Sequence, residues 1–112
     1  MDSQLFILWT NADELTFEKM VAMYAKNSLL KHWWDHVTLI VWGRTAKLTA
    51  ESQTVQMIIK DLLATGVHVS ACKACSDQLG VTDTLNEIGI ETKYWGEPLT
   101  MILKENQKLL TI

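Results

Sequence analysis

Two apolar runs set the frame for this chain. Leu5-Phe-Ile-Leu-Trp9 and Val37-Thr-Leu-Ile-Val-Trp42 read as strands buried on both faces, as the central strands of a parallel sheet are. Each precedes a helical pattern. After the first, Asn11 or Asp13 can cap a helix, Asn11 with Glu14 having the spacing of a capping box. Phe17, Met20, Val21 and Tyr24 then recur on one helical face. After the second, which Gly43 stops, Thr49 is a candidate cap for a helix with the stripe Val55, Ile58, Ile59, Leu62 and Leu63. Gly66 suits its left-handed stop.

The alternation continues. Val67 to Ala71 is a third strand, followed by short helices over Ala74 to Leu79 and Thr82 to Ile88 that end at Gly80 and Gly89. Ile90-Glu-Thr-Lys-Tyr-Trp95 alternates apolar and polar residues, the pattern of a half-exposed edge strand. Pro98 fits the first turn of a last helix, and Leu109 to Ile112 closes the chain as a strand. Five strands joined by about four right-handed crossings predict an α/β domain with helices on both faces of a parallel sheet.

A chain of 112 residues holds one such domain, spanning 1–112, and a hydrophobic share of 48% supplies its core. The net charge of −3, with Lys and Arg scattered, disfavours nucleic acid as a partner. No apolar stretch reaches the roughly 18 residues of a membrane span. The Met-Asp-Ser-Gln start lacks the basic residues of a secretory signal. Two cysteines in a core-rich chain read as reduced thiols, so a cytoplasmic location is expected.

Those cysteines carry the chemistry. Cys72 and Cys75 stand where the third strand gives way to a helix, in Val67-His-Val-Ser-Ala-Cys72-Lys-Ala-Cys75. Open α/β sheets place their chemistry at the carboxyl ends of strands. A helix start offers unpaired N–H groups to a thiolate, and Lys73 adds a positive charge. A cysteine there is equally a small core residue, since free cysteine is among the most buried types. Cys75, one turn on, shares a helix face with Cys72, and Cys-x-x-Cys at a helix start is also a dithiol redox arrangement. Here, however, the motif follows the third strand, and no proline-bearing strand comes after it.

Other residues add less. Two cysteines fall short of the four ligands of structural zinc, and a strand puts His68 more than about 10 Å from Cys72. No metal or organic cofactor is expected. His32 and His36 flank Trp33-Trp34 at a semi-apolar corner. Gly43-Arg44 follows the second strand and opens on the same sheet edge as Cys72, so Arg44 is either a solvated loop charge or a partner for an anionic sulfur intermediate. The five glycines are isolated and form no phosphate loop.

Val69-Ser-Ala-Cys72, Cys75-Ser-Asp-Gln-Leu-Gly-Val81 and Leu85-Asn-Glu-Ile-Gly89-Ile90 resemble the DsrE/DsrF-like (DsrEFH and TusBCD-like) proteins of sulfur metabolism. The Trp42-Gly43 strand ending and the segment from Leu99 to Ile112 are similar too. The resemblance implies a three-layer α/β/α fold with a five-stranded parallel sheet ordered 4-3-2-1-5. It places Cys72 at the family's sulfur-carrying position, walled by Gly43-Arg44 and Tyr94-Trp95-Gly96. Cys75 lies outside the single-cysteine relay pattern, as a resolving thiol or a packing residue. The expected function is a small sulfur carrier, sulfurtransferase-like if active, that accepts sulfane sulfur as a persulfide on Cys72 and relays it to a partner. Its partners would be donor and acceptor proteins and further copies of itself, as a dimer, trimer or hexamer. The alternatives are a dithiol redox protein using Cys72 and Cys75, and a non-catalytic oligomer.

Overall fold

The computed structural model describes residues 2–112. Its strands are β1 (Gln4–Trp9), β2 (His36–Val41), β3 (His68–Cys72), β4 (Glu91–Lys93) and β5 (Lys108–Thr111). All pair in parallel, in the order β4-β3-β2-β1-β5. The expected α/β/α architecture and strand order are both present.

Side-chain alternation divides the sheet into two unlike faces. Ile7, Leu39 and Val69 stand in register across three strands on one face, essentially without solvent contact. Helices α1 (Glu14–Thr16), α2 (Met23–Leu30), α3 (Arg44–Glu51), α4 (Gln53–Thr65) and α6 (Thr82–Ile88) lie on this side. Phe17 and Val21 from the turns between α1 and α2, with Ala25, Ala46, Val55, Ile59, Leu62 and Leu85 from the helices, close the larger core over it. The opposite face carries Phe6, Ile40 and Cys72, and α7 (Gly96–Lys104) contributes only Ile102, with Trp95 just before it, to that core. The second layer is therefore thin.

Local differences from the sequence reading have physical causes. Between α1 and α2 the chain turns more widely, as a π-helical segment over Phe17–Ala22. The wider turn rotates the buried stripe, so Phe17, Val21 and Ala22 face the core while Met20 points outward. Asp13 is the cap, its carboxylate accepting from the Thr16 N–H at 2.9 Å. Thr49 caps nothing: it lies inside α3, a helix the glycine and polar residues had masked, and donates to the Thr45 carbonyl at 2.8 Å. Ser52 caps α4 instead, accepting from the Val55 N–H at 3.1 Å. The edge strand β4 is shorter than its alternation predicts, because Trp95 turns inward to begin α7.

Gly43 makes the turn from β2 into α3 possible. Its φ of 72° with ψ of −136° is a backbone conformation that side chains disfavour. Two residues on, the fully buried Thr45 ties the carboxyl ends of the central strands together. Its hydroxyl lies 2.8 Å from the Trp9 carbonyl and 2.9 Å from that of Trp42, and accepts from the Trp42 N–H at 3.1 Å. Thr45→Val keeps the shape and strips these partners. It is expected to destabilise the fold by about 1–3 kcal/mol in urea unfolding, the cost of stranding buried polar groups.

Candidate functional site

The two cysteines occupy different environments three residues apart. Cys72 ends β3 and stands at the N-cap position of α5 (Lys73–Leu79), as the sequence places it. Its side chain, however, receives no capping hydrogen bond from the helix N–H groups. It belongs to the thin core with Phe6, Ile40, Trp95 and Ile102, and the residue is only 4% exposed. The reason is register: Cys72 follows Ser70 and His68 on the α7 side of the sheet, so its Cβ points into that layer.

Lys73 does not turn toward the sulfur. Its ammonium pairs with Asp77 at 2.8 Å and lies 5.8 Å from the centroid of the Tyr94 ring. The hydrogen bond to Asp77 raises the Lys73 pKa, and those from Lys73 and Thr82 hold the Asp77 carboxyl below its usual value. Tyr94 is 64% exposed and stands apart from the thiol pocket, whereas the adjacent Trp95 forms its wall. Trp42 packs on the same cluster from the end of β2.

Cys75 is half-buried and faces outward. Its thiol donates to the Gly43 carbonyl at 3.6 Å, and it lines a groove of about 360 Å³ with Gly43, Arg44, Lys47, Gln78 and Leu79. The groove therefore gathers Gly43, Arg44 and Cys75 from the expected set, and leaves Cys72, Lys73, Tyr94 and Trp95 elsewhere. Arg44 is the first residue of α3, not a loop residue, which brings Lys47 onto the same helical face at i+3. Sequence reading missed Lys47 because it missed α3; the Thr45, Ala46, Thr49 spacing of buried residues was the available signal.

A second polar arrangement lies along the same sheet face toward the amino ends of the strands. Trp95 Nε1 donates to Ser70 Oγ at 2.8 Å, Ser70 donates to Glu91 at 2.9 Å, and the other Glu91 oxygen sits 3.2 Å from His68 Nε2. Lys93 stacks its ammonium 4.5 Å from the Trp95 ring centroid. A cleft of about 380 Å³ opens here beside Thr38, His68, Lys93 and Met101, and neither cysteine lines it. Burial pushes the Glu91 carboxyl up, but hydrogen bonds from Ser70 and His68 and the charges of His68 and Lys93 outweigh it and leave its pKa lowered. The one hint in the sequence was Ser70, a polar residue inside an apolar strand.

No protein-family model matches the chain, and no curated protein matches it. Two solved structures do. One is a conserved protein of unknown function, BT1422 from Bacteroides thetaiotaomicron. It is 40% identical, with a TM-score of 0.96 over 98% of this chain and 95% of that one. The other is the ychN protein of E. coli, 18% identical, with a TM-score of 0.72 over 100% of both chains. That second likeness is one of fold, and the fold is DsrE-like.

A carboxyl held below its ordinary value stabilises the folded state above the unfolded pKa, and that contribution is lost as pH falls through the folded one. Glu91 should therefore contribute fully at neutral pH and lose that contribution progressively as pH falls below its ordinary value of 4.5 and through the lowered folded one. Glu91→Gln is expected to unfold at lower urea than the parent at neutral pH, with the gap closing on acidification below that value. Urea midpoints across a pH series measure this.

Proposed function

The chain belongs to the family of the Bacteroides thetaiotaomicron protein BT1422, and from that premise and its DsrE-like fold we propose that it is a small cytoplasmic sulfur carrier. In this reading Cys72 accepts a sulfane sulfur as a persulfide and passes it to a partner protein. The observation that carries the reading is the position of Cys72. It sits at the carboxyl end of β3, between β2 and β4, in a sheet of the order 4-3-2-1-5. There Trp95, Phe6, Ile40 and Ile102 enclose it.

That enclosure gives the site its character. A persulfide is attacked by solvent thiols through exchange at sulfur, and access governs the rate. Apolar walls shield a bound sulfur from that exchange between donor and acceptor. Transfer then requires the partner to reach Cys72 past Trp95 or through Cys75. The exposed Trp33 at the α2–β2 corner, 54% accessible, offers apolar surface for self-association or for such a partner.

The same burial favours a second reading, in which Cys72 is a core residue of a non-catalytic oligomer. The two readings separate experimentally. The protein is incubated with a persulfide donor without reductant, and the intact mass is measured. The carrier is expected to gain one sulfur atom, and peptide mapping is expected to place it on Cys72. A protein that gains nothing on Cys72, with alkylation of that thiol as slow as global unfolding, is the structural oligomer.

A further inference from the structure

Solvent reaches one of the two thiols far more readily than the other, and that thiol is Cys75. Its groove joins three kinds of group that converge from separate elements. The thiol comes from α5, the Gly43 carbonyl from the turn after β2, and the side chains of Arg44 and Lys47 from α3. No carboxylate lines the groove, and neither cation forms an ion pair with a carboxylate among the described residues. Glu51 stands one turn further along α3, in the adjoining depression. Lys73, the cation nearest Cys72 in sequence, is already committed to Asp77. Lys93, the register partner of Cys72, lies over the Trp95 ring and lines a cleft that neither thiol enters, so the unpaired cations that share a groove with a thiol are Arg44 and Lys47.

We propose that this groove binds a small anionic sulfane-sulfur donor and that Cys75, not Cys72, is the thiol that first takes its sulfur. The proposal rests on the sulfur-carrier reading and adds the substrate class and the order of events. Arg44 and Lys47 hold the anion. A cleft of one sign concentrates its counter-ion, and fixed cations stabilise the leaving anion as it forms. The groove, about 360 Å³, is of a size for a small ligand.

With thiosulfate as donor the chemistry balances. The Cys75 thiolate attacks the outer sulfur, a new S–S bond forms, and the bond to the sulfonate sulfur breaks with its electron pair leaving on sulfite. The product is the Cys75 persulfide. In the second step the Cys72 thiolate attacks the terminal sulfur of the protonated Cys75 persulfide, giving the Cys72 persulfide and the Cys75 thiolate. No net oxidation or reduction of the protein occurs. Both cysteines border the same apolar cluster, which allows the handover without exposing the sulfur to bulk water.

Two measurements test this on the full chain. The first uses iodoacetate and iodoacetamide, an anionic and a neutral reagent of similar size. Cys75 is expected to react faster than Cys72. Arg44→Ala with Lys47→Ala, both at exposed positions, should slow the iodoacetate reaction about tenfold and leave the iodoacetamide reaction unchanged. Equal slowing of both reagents, or of neither, overturns the anion site. The second measurement follows thiosulfate labelling by mass spectrometry. Sulfur is expected on Cys75 first, to remain there in Cys72→Ser, and to reach Cys72 at only a small fraction of the parent rate in Cys75→Ser. Labelling of Cys72 at the parent rate in Cys75→Ser overturns the order of events while leaving the carrier intact. Labelling of neither thiol by thiosulfate overturns this inference, whereas the carrier reading falls only if a persulfide donor also leaves Cys72 unlabelled.

Discussion

The sheet of this protein is parallel, and a parallel sheet needs both faces covered. The chain meets that requirement unevenly. The segments joining β1 to β2, β2 to β3 and β3 to β4 send helices to one face, so a single crossing, α7, is left for the other. The thick side is an aliphatic core with Trp9 stacked on Phe17 at 4.2 Å between ring centroids. The thin side is filled by a few large rings and one sulfur. What chemistry the domain has on this face depends on that asymmetry, because β3 turns Cys72 into the thin layer.

Much of this was legible in the residues. The uninterrupted runs of β1 and β2 predict central parallel strands, and both lie inside the sheet. Gly66, Gly80 and Gly89 end helices in the left-handed conformation. The β3–α5 junction at Cys72 falls where the change of period places it. The resemblance then gave the strand order, which periodicity alone leaves open.

What was not legible depends on direction in space. A sequence shows that Cys72 is followed by a helix, but not that its sulfur points along the sheet normal, away from the helix N–H groups. Lys73 is adjacent to Cys72 in the chain, yet Asp77 lies one turn along the same helix face and captures its ammonium. Tyr94 and Trp95 are neighbours with opposite fates: one turns to solvent and the other closes the pocket. Helix α3 escaped because it starts directly after Gly43 and carries Thr45 and Thr49, which are weak helix formers in isolation. Burial of Thr45 against the strand ends overrides that local preference.

The pocket wall is itself held by the polar arrangement further down the sheet. Trp95 reaches across to Ser70, Ser70 to Glu91, and Glu91 to His68, so that the short edge strand β4, β3 and the start of α7 are joined through side chains. β4 has only three residues in its ladder, too few to hold that edge firmly by backbone pairing alone. Any displacement of Trp95 large enough to uncover Cys72 must break its hydrogen bond to Ser70, which is fully buried, and lift its ring from under Lys93. Access to Cys72 on that side is thus resisted by a named set of contacts, whereas Cys75 needs no such opening. The two thiols of one Cys-x-x-Cys are separated less by distance along the helix than by what must move before a solute can meet them.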